Sequence, residues 1–324
     1  MSRQKGSALL LALLIMALIT SIAVVTGDDL QRSLLRNQTL QAQTEAKWAL
    51  LGNEAMILSQ LAEHLPLSNA IYRPGTINDM MIEYRLRDLN ACFNLNALQR
   101  VPHQVGARPD ESDIDSVGPG QVTPEQLPEE PYPVTVLTQL IKNVIGLDDE
   151  TAQIMTSRIV GWINPEGSST QETGNNKPAL ILDISELRII PGLELMHYRQ
   201  LKPWLCVLPQ TELKININAL DETSAPLLSA LAAGQLSISN AKSLIASRPA
   251  QGWDKSDAIT AWLTKHNLPA AEKMTPLITL TADYLLLSQW AVQEEQRYAL
   301  HSLIRYGKKP FQVVQRKYGI SDIH

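Results

Sequence analysis

The chain has 324 residues, enough for one large domain or two medium ones with a sizeable core. Hydrophobic residues make up 44% and charged ones 19%, with 28 basic against 33 acidic side chains and a net charge of −5. That balance excludes an acidic disordered chain, a multi-span membrane protein and a broad nucleic-acid surface, and two cysteines exclude a zinc cluster or a disulfide scaffold.

Met1–Gly6 is short, polar and basic, with Arg3 and Lys5. Ser7–Thr26 then runs without a charge, and as a helix it spans about 30 Å, the thickness of a bilayer's hydrocarbon core. Basic residues before it and Asp28–Asp29 after it put the N-terminus on the cytoplasmic side and the body across the membrane. A cleaved secretory signal would need a shorter apolar core and a small-residue site, whereas this core ends VVTGDD. A plain signal anchor fits. A short basic leader ending in Gly6 and abutting the apolar helix at Ser7 also resembles the type IV prepilin signal. There the prepilin peptidase cuts after the glycine and methylates the new N-terminus.

Asp28 to about Leu65 continues with helix formers and no proline, and Pro66 ends it. Apolar residues at Leu30, Leu34, Trp48, Leu51, Ala55, Leu58 and Leu61 or Ala62 predict an amphipathic stripe. The expectation is one long helix, lipid-embedded at first and then packed on a globular head.

Pro74–Gly75 signals a turn, and the alternation from Met81 to Arg87 predicts a half-buried strand. Gly106 to Pro133 and Gly167–Lys177 are polar and lack apolar periodicity, which predicts exposed loops. Helical patterns cover Val134 to Trp162 and Asp221 to about Leu268, with turns at Pro249–Gly252 and near Pro269. Tyr284–Val292 reads as a strand, Arg297–Tyr306 as its antiparallel partner, and Phe311–Gln315 as a third. The fold class expected is α+β: a long N-terminal helix on an antiparallel sheet, with a large all-helical domain inserted between strands.

An internal repeat is visible. Phe93-Asn94-Leu95-Asn96-Ala97-Leu98 recurs as Ile215-Asn216-Ile217-Asn218-Ala219-Leu220. Each copy is followed by a helical stretch, a Ser-Arg pair (Ser157-Arg158, Ser247-Arg248) and a tryptophan (Trp162, Trp253). Asparagines in that pattern are expected to cap backbone donors at helix entries.

The short leader, the anchor, the strand into CFNLNAL, the Ser185-Glu186-Leu187-Arg188 segment, Leu208-Pro209 with Ile215–Ala219, and the closing strands together resemble the K-type minor pseudopilins of the bacterial type II secretion system, the GspK family. The resemblance covers nearly the whole chain and implies a pilin-like fold divided as 1–6 leader, 7–26 membrane part of the helix, 27–65 periplasmic part, 66–98 first part of the sheet, 99–275 helical insertion with two related sub-units, and 276–324 closing strands. It implies a non-enzymatic role: capping the periplasmic pseudopilus tip with I- and J-type minor pseudopilins, initiating assembly, and helping export folded proteins through the outer membrane. The implied partners are those subunits, the major pseudopilin, prepilin peptidase and the inner membrane, with no nucleic acid.

The same resemblance assigns site residues. Cleavage falls between Gly6 and Ser7, with N-methylation of Ser7. Ordinary pilins carry a glutamate at the fifth mature position, where its charge meets a neighbour's N-terminus, whereas counting from Ser7 that position is Leu11. A carboxylate in an apolar core is costly unless paired, and a tip subunit lacks the neighbour above. Cys92 and Cys206 each precede a copy of the repeat, which in an oxidising periplasm favours one disulfide over two buried thiols. Related proteins bind calcium through an acidic loop with a D-W-I-D-like start. Here the equivalent is Gly161-Trp162-Ile163-Asn164, and Asn164, Glu166 and Glu172 with nearby amides are the weak ligand candidates. Calcium takes six to eight oxygens, usually with several carboxylates, so a solvated loop is the expectation and no cofactor is assigned.

Two other function classes have less support in the sequence. The chain has no G-x-S-x-G or H-E-x-x-H, and its histidines (His64, His103, His197, His266, His301 and His324) are scattered, which argues against a hydrolase. The alternative function is a membrane-anchored periplasmic binding protein of a DNA-uptake or type IV pilus system, because Asn-x-Asn-Ala before paired helices resembles a helix-hairpin-helix. Its hairpin would be Leu231–Gly234, but that hairpin has one glycine and acidic neighbours such as Asp148, Asp149, Asp221 and Glu222.

Overall fold

The computed structural model describes residues 5–61, 68–99, 131–165, 180–265, 271–293 and 296–320. The chain divides into two compact units. The first comprises residues 1–86, 287–303 and 313–324, and the second comprises residues 87–286 and 304–312.

The first unit holds helix α1 (Lys5–Leu61) and most of a five-stranded antiparallel sheet. The strands are β1 (Ser68–Ile77), β2 (Met80–Asp88), β7 (Tyr284–Gln293), β8 (Gln296–Arg305) and β9 (Gln312–Ile320), in the order β1-β2-β7-β8-β9. The tight turn falls at Asn78–Asp79, with φ of 49° and 61°, and not at Pro74–Gly75 as the sequence suggested. Asparagine and aspartate tolerate left-handed backbone, and two such residues make the turn that suits a hairpin's twist. Pro74 and Gly75 instead lie within β1, where the pairing register with β2 shifts between Tyr72 and Gly75. β1 is an edge strand, where a residue lacking an N–H is tolerated.

The last turns of α1 pack on this sheet, but not along the stripe expected from apolar spacing. The buried face is Ala46, Ala49, Leu50, Asn53, Glu54, Ile57 and Leu61, whereas Leu30 and Leu34 are exposed and Trp48 is 67% exposed. Ala46, Ala49 and Leu50 form a core with Met80, Ile82, Ala291, Tyr298 and Leu300. Small and hydrogen-bonded polar residues let the helix approach the sheet closely. Of the expected stripe, Leu61 is buried and Leu51 borders this core, whereas Leu30, Leu34 and Trp48 lie off it.

The second unit carries the inserted helices: α2 (Tyr132–Ile145), α3 (Asp149–Ile163), α4 (Leu195–Leu201), α5 (Ala225–Leu231), α6 (Ile238–Ala246), α7 (Ser256–Lys265) and α8 (Ala271–Met274). The single helical block expected over Val134–Trp162 is two helices. Gly146, at φ 80°, ends α2 by donating its N–H to Lys142 O, and Asp148 caps α3 through Thr151 N at 3.0 Å. α2 packs on α3 and α5, and α5 on α6, around a core that includes Phe93, Leu137, Leu140, Ile141 and Ile159.

The insertion is not purely helical. Strands β3 (Phe93–Asn94) and β4 (Leu205–Cys206) pair in parallel, and so do β5 (Ile215–Asn216) and β6 (Ile278–Thr279). This unit begins at Arg87. The reason is local: Asn90 and Asn94 already bond to carbonyls of Lys214 and Gln210.

Candidate functional site

Two features are built to do something: the apolar half of α1, and the polar frame where the chain enters and re-enters the insertion. Among the described residues α1 is the one helix long and apolar enough to cross a membrane. Its 57 residues extend about 85 Å. Leu9–Val25 presents exposed leucine, isoleucine, valine and methionine all round, with Leu11 60% exposed. The hydroxyls of Thr20 and Thr26 donate back to the carbonyls of Met16 and Ile22, so these polar groups are satisfied within the helix. That is the condition for a segment in hydrocarbon. Gly6 and Ser7 lie in the first turns of α1, and residues 1–4 lie outside the described residues.

The repeat forms two related frames. Asn94 and Asn216 each begin a one-turn helix, their side chains accepting from Asn96 N and Asn218 N at 3.3 and 3.1 Å. The second asparagine of each pair acts at long range. Asn96 donates to Leu208 O at 2.8 Å and Ile181 O at 3.1 Å and accepts from Ile181 N at 2.9 Å. Asn218 likewise donates to Trp253 O at 2.9 Å and Leu280 O at 3.1 Å and accepts from Trp253 N at 2.8 Å. Each amide thus replaces the missing rungs beside a two-residue strand pair. Gly252, at φ 80°, lies against Asn218, and a Cβ there would approach that amide to 3.0 Å.

The Ser-Arg and Trp parts of the repeat are not equivalent. Arg248 donates to the carbonyls of Asn218 and Leu220, whereas Arg158 donates to Gly192 O. Trp253 is buried and Trp162 is 39% exposed.

Asp88 ends β2 and links the frames, accepting from Asn90 N at 2.7 Å and from Asn216 Nδ2 at 2.6 Å. Asn90, wholly buried, accepts from the N–H groups of Asp283 and Tyr284, where the chain returns to β7. Burial pushes the Asp88 carboxyl up to about 6, helped by the nearby Asp283 charge and opposed by its two hydrogen bonds. Cys92 and Cys206 are joined in a disulfide beside the β3–β4 pair, with Cα atoms 5.7 Å apart. Nothing in the sequence showed that Asp88 and Asn90 belong to this frame, although N-x-x-x-N-x-N spacing was there to be read.

Of the three calcium candidates, only Asn164 lies within the described residues. Asn164 spends its amide nitrogen on Leu98 O at 2.9 Å and Val160 O at 3.1 Å, tying the end of α3 to the first repeat. Glu166 and Glu172 lie outside the described residues, as does most of the Gly106–Pro133 loop. Among the described residues no group of three or more His, Cys, Asp or Glu could hold a metal.

The hairpin needed by the DNA-binding alternative is closed on itself. In the turn after α5 the N–H groups of Ala232, Ala233, Gly234 and Gln235 bond to carbonyls of Ser229, Ala230 and Ala232. Those donors are engaged, so the turn offers no cradle for a phosphate.

Comparison with known proteins places this arrangement. The family described as "Type II secretion system (T2SS), protein K" matches residues 91–210 and again residues 215–281, the two stretches that each open on a copy of the frame. A type II secretion system protein K of Dickeya chrysanthemi is 31% identical over 98% of this chain and 97% of that protein. This chain belongs to the type II secretion system protein K family. The protein K of Pectobacterium carotovorum subsp. carotovorum is 28% identical over the same shares of the two chains. Among solved structures, the GspK-GspI-GspJ complex from enterotoxigenic Escherichia coli contains a chain similar in fold. The TM-score is 0.64 at 23% identity, covering 88% of this chain and all of that one. Protein K is a minor pseudopilin, and the long helix with an interrupted antiparallel sheet is its pilin-like architecture.

Proposed function

We propose that this protein K is a non-enzymatic cap of the periplasmic pseudopilus tip, assembled with I- and J-type minor pseudopilins and the major pseudopilin. Its task is to initiate assembly and support export of folded proteins. The observation that carries this is α1, whose first half is apolar and exposed on all sides while its end is seated on its own head. A helix of that kind is stable only in lipid or among other apolar helices. The anchor is a single pass of the inner membrane. Arg3 and Lys5 hold the N-terminus on the cytoplasmic side, and Asp28–Asp29 open the periplasmic part. The disulfide suits that oxidising compartment. The I- and J-type partnership is supported by the related complex, in which a similar chain is assembled with GspI and GspJ.

Processing is at Gly6–Ser7 by prepilin peptidase, with methylation of Ser7. Leu11 stands where a filament-body subunit would place a carboxylate, and the bulky insertion is tolerable only where nothing stacks above it. The test is the intact mass of the protein from membranes that contain prepilin peptidase. A chain beginning at N-methyl-Ser7 is expected, and one retaining Met1 or cut near Gly27 refutes the reading. Leu11→Glu is expected to bring no gain in pseudopilus formation, and a clear gain would refute the tip assignment.

A further inference from the structure

The sheet has a second face, opposite the one that packs on α1. On β2, Met80 and Ile82 join the α1 core, so Glu83 and Arg85 project the other way. On β7 the same alternation puts Trp290 beside them, and on β8 it adds Arg297 and His301. Three guanidinium groups meet one carboxylate here. Glu83, almost fully buried, binds Arg73 Nε at 2.7 Å and Arg297 Nη2 at 2.8 Å, so its charge is already shared between two arginines. The Arg297 guanidinium lies 4.5 Å from the centre of the Trp290 ring, and that of Arg85 lies 6.0 Å from it. Among the described residues Arg85 has no carboxylate partner, and its Nε, the Nε of Arg297 and the indole N–H of Trp290 are buried without an acceptor. Trp290 itself is 8% exposed.

A positive charge without a counter-charge is costly where water is partly excluded, and an indole N–H normally finds an acceptor when buried. The cluster has an excess of two positive charges and three orphan donors, all supplied by rigid strands. A carboxylate is the group whose chemistry complements such a cluster, because guanidinium forks and an indole N–H are donors only. We propose that this face is a docking site for an acidic segment of a partner protein, one carboxylate seating at Arg85, Arg297 and Trp290. The aromatic ring fixes both guanidiniums beforehand, which lowers the ordering cost of binding. Arg73, with its side chain 60% exposed, stands at the rim and attracts the rest of the acidic segment. The site does not depend on the tip assignment, since it rests only on the sheet.

The test uses the full chain in detergent with a fluorescent hexaglutamate peptide, followed by anisotropy at low and at high salt. The protein's net charge of −5 opposes unspecific attraction of that peptide, so binding reports the local cluster. Binding at low salt is expected, weakening with salt, with hexalysine inert. Arg85→Gln is expected to weaken it about tenfold, the effect of losing one charge-assisted hydrogen bond. Trp290→Phe keeps the stacking ring and removes the N–H, and is expected to weaken binding about threefold with an unchanged melting temperature. Absence of binding by the wild type overturns the proposal. So does an Arg85→Gln protein that melts earlier yet binds equally well, since the arginines would then serve only to pack Trp290.

Discussion

Glu54, buried near the end of α1, is gripped by Arg316 of the edge strand β9, with Nη2 at 2.7 Å and Nε at 3.1 Å from its carboxylate. Ser302 of β8 donates to the same carboxylate. One acidic side chain therefore ties the helix to the last two strands. Arg316→Met strands the Glu54 charge and is expected to cost about 2–4 kcal/mol. Adding Glu54→Gln removes that charge and should recover at least half of the loss. Thermal melting of the two variants checks this, and equal melting temperatures would contradict it.

The long-range asparagines should be irreplaceable by near-isosteres. Asn218→Asp removes the donors and sets a carboxylate against the carbonyls of Trp253 and Leu280, at a cost of about 3 kcal/mol. Asn96→Ala, which leaves the N–H and C=O of Ile181 unpaired, should cost about 2–4 kcal/mol. Both variants are expected to expose the insertion to limited proteolysis, Asn96→Ala in its first half and Asn218→Asp in its second.

The Cys92–Cys206 bridge spans a sequence separation of 114 residues. In the chain-entropy picture a loop of that length contributes about 4–5 kcal/mol. Cys206→Ser should lower the stability by a comparable amount, seen as an earlier melting transition, and reductant should destabilise the wild type but not the variant. Maleimide labelling before and after reduction of the unfolded chain counts the thiols directly.

Asp88 gives stability a pH dependence of unusual sign for a carboxylate. Its folded value of about 6 lies above the ordinary 3.8, so the folded state binds the proton more tightly. The contribution is complete below pH 3.8 and is lost as pH rises through about 6, amounting to roughly 2–3 kcal/mol. Asp88→Asn cannot lose a proton. The difference in melting temperature between wild type and variant should therefore shift in favour of the variant between pH 4.5 and 7.5 (about the span of the titration). A constant difference would show that Asp88 does not titrate in that window.

Local pattern carried much of the fold. The charge-free run at Ser7–Thr26 and the alternation in Met81–Arg87, Tyr284–Val292 and Arg297–Tyr306 were legible because helix and strand periods are written in neighbouring residues. Asn94 and Asn216 were recognisable as caps for the same reason. The turn was misplaced because Pro-Gly is a stronger turn signal than Asn-Asp, and only the edge position of β1 lets Pro74 remain in a strand. Two-residue strands such as β3 and β6 have no period to detect.

What the sequence alone determined, then, is the anchor, the strand pairs and the duplicated asparagine element, each a consequence of short-range spacing and side-chain chemistry. The tertiary structure decided the rest. It chose the alanine, asparagine and glutamate face of α1 over the Trp48 face, because close approach and the Asn53–Gln289 and Glu54–Arg316 hydrogen bonds outweigh side-chain size there. It also brought Asp88, Asn90, Asn216 and Asp283 into one frame, and Arg85, Trp290 and Arg297 into one cluster. Asp88 and Asn90 lie far along the chain from Asn216 and Asp283, and Arg85 from Trp290 and Arg297, so only strand order and register could make them neighbours.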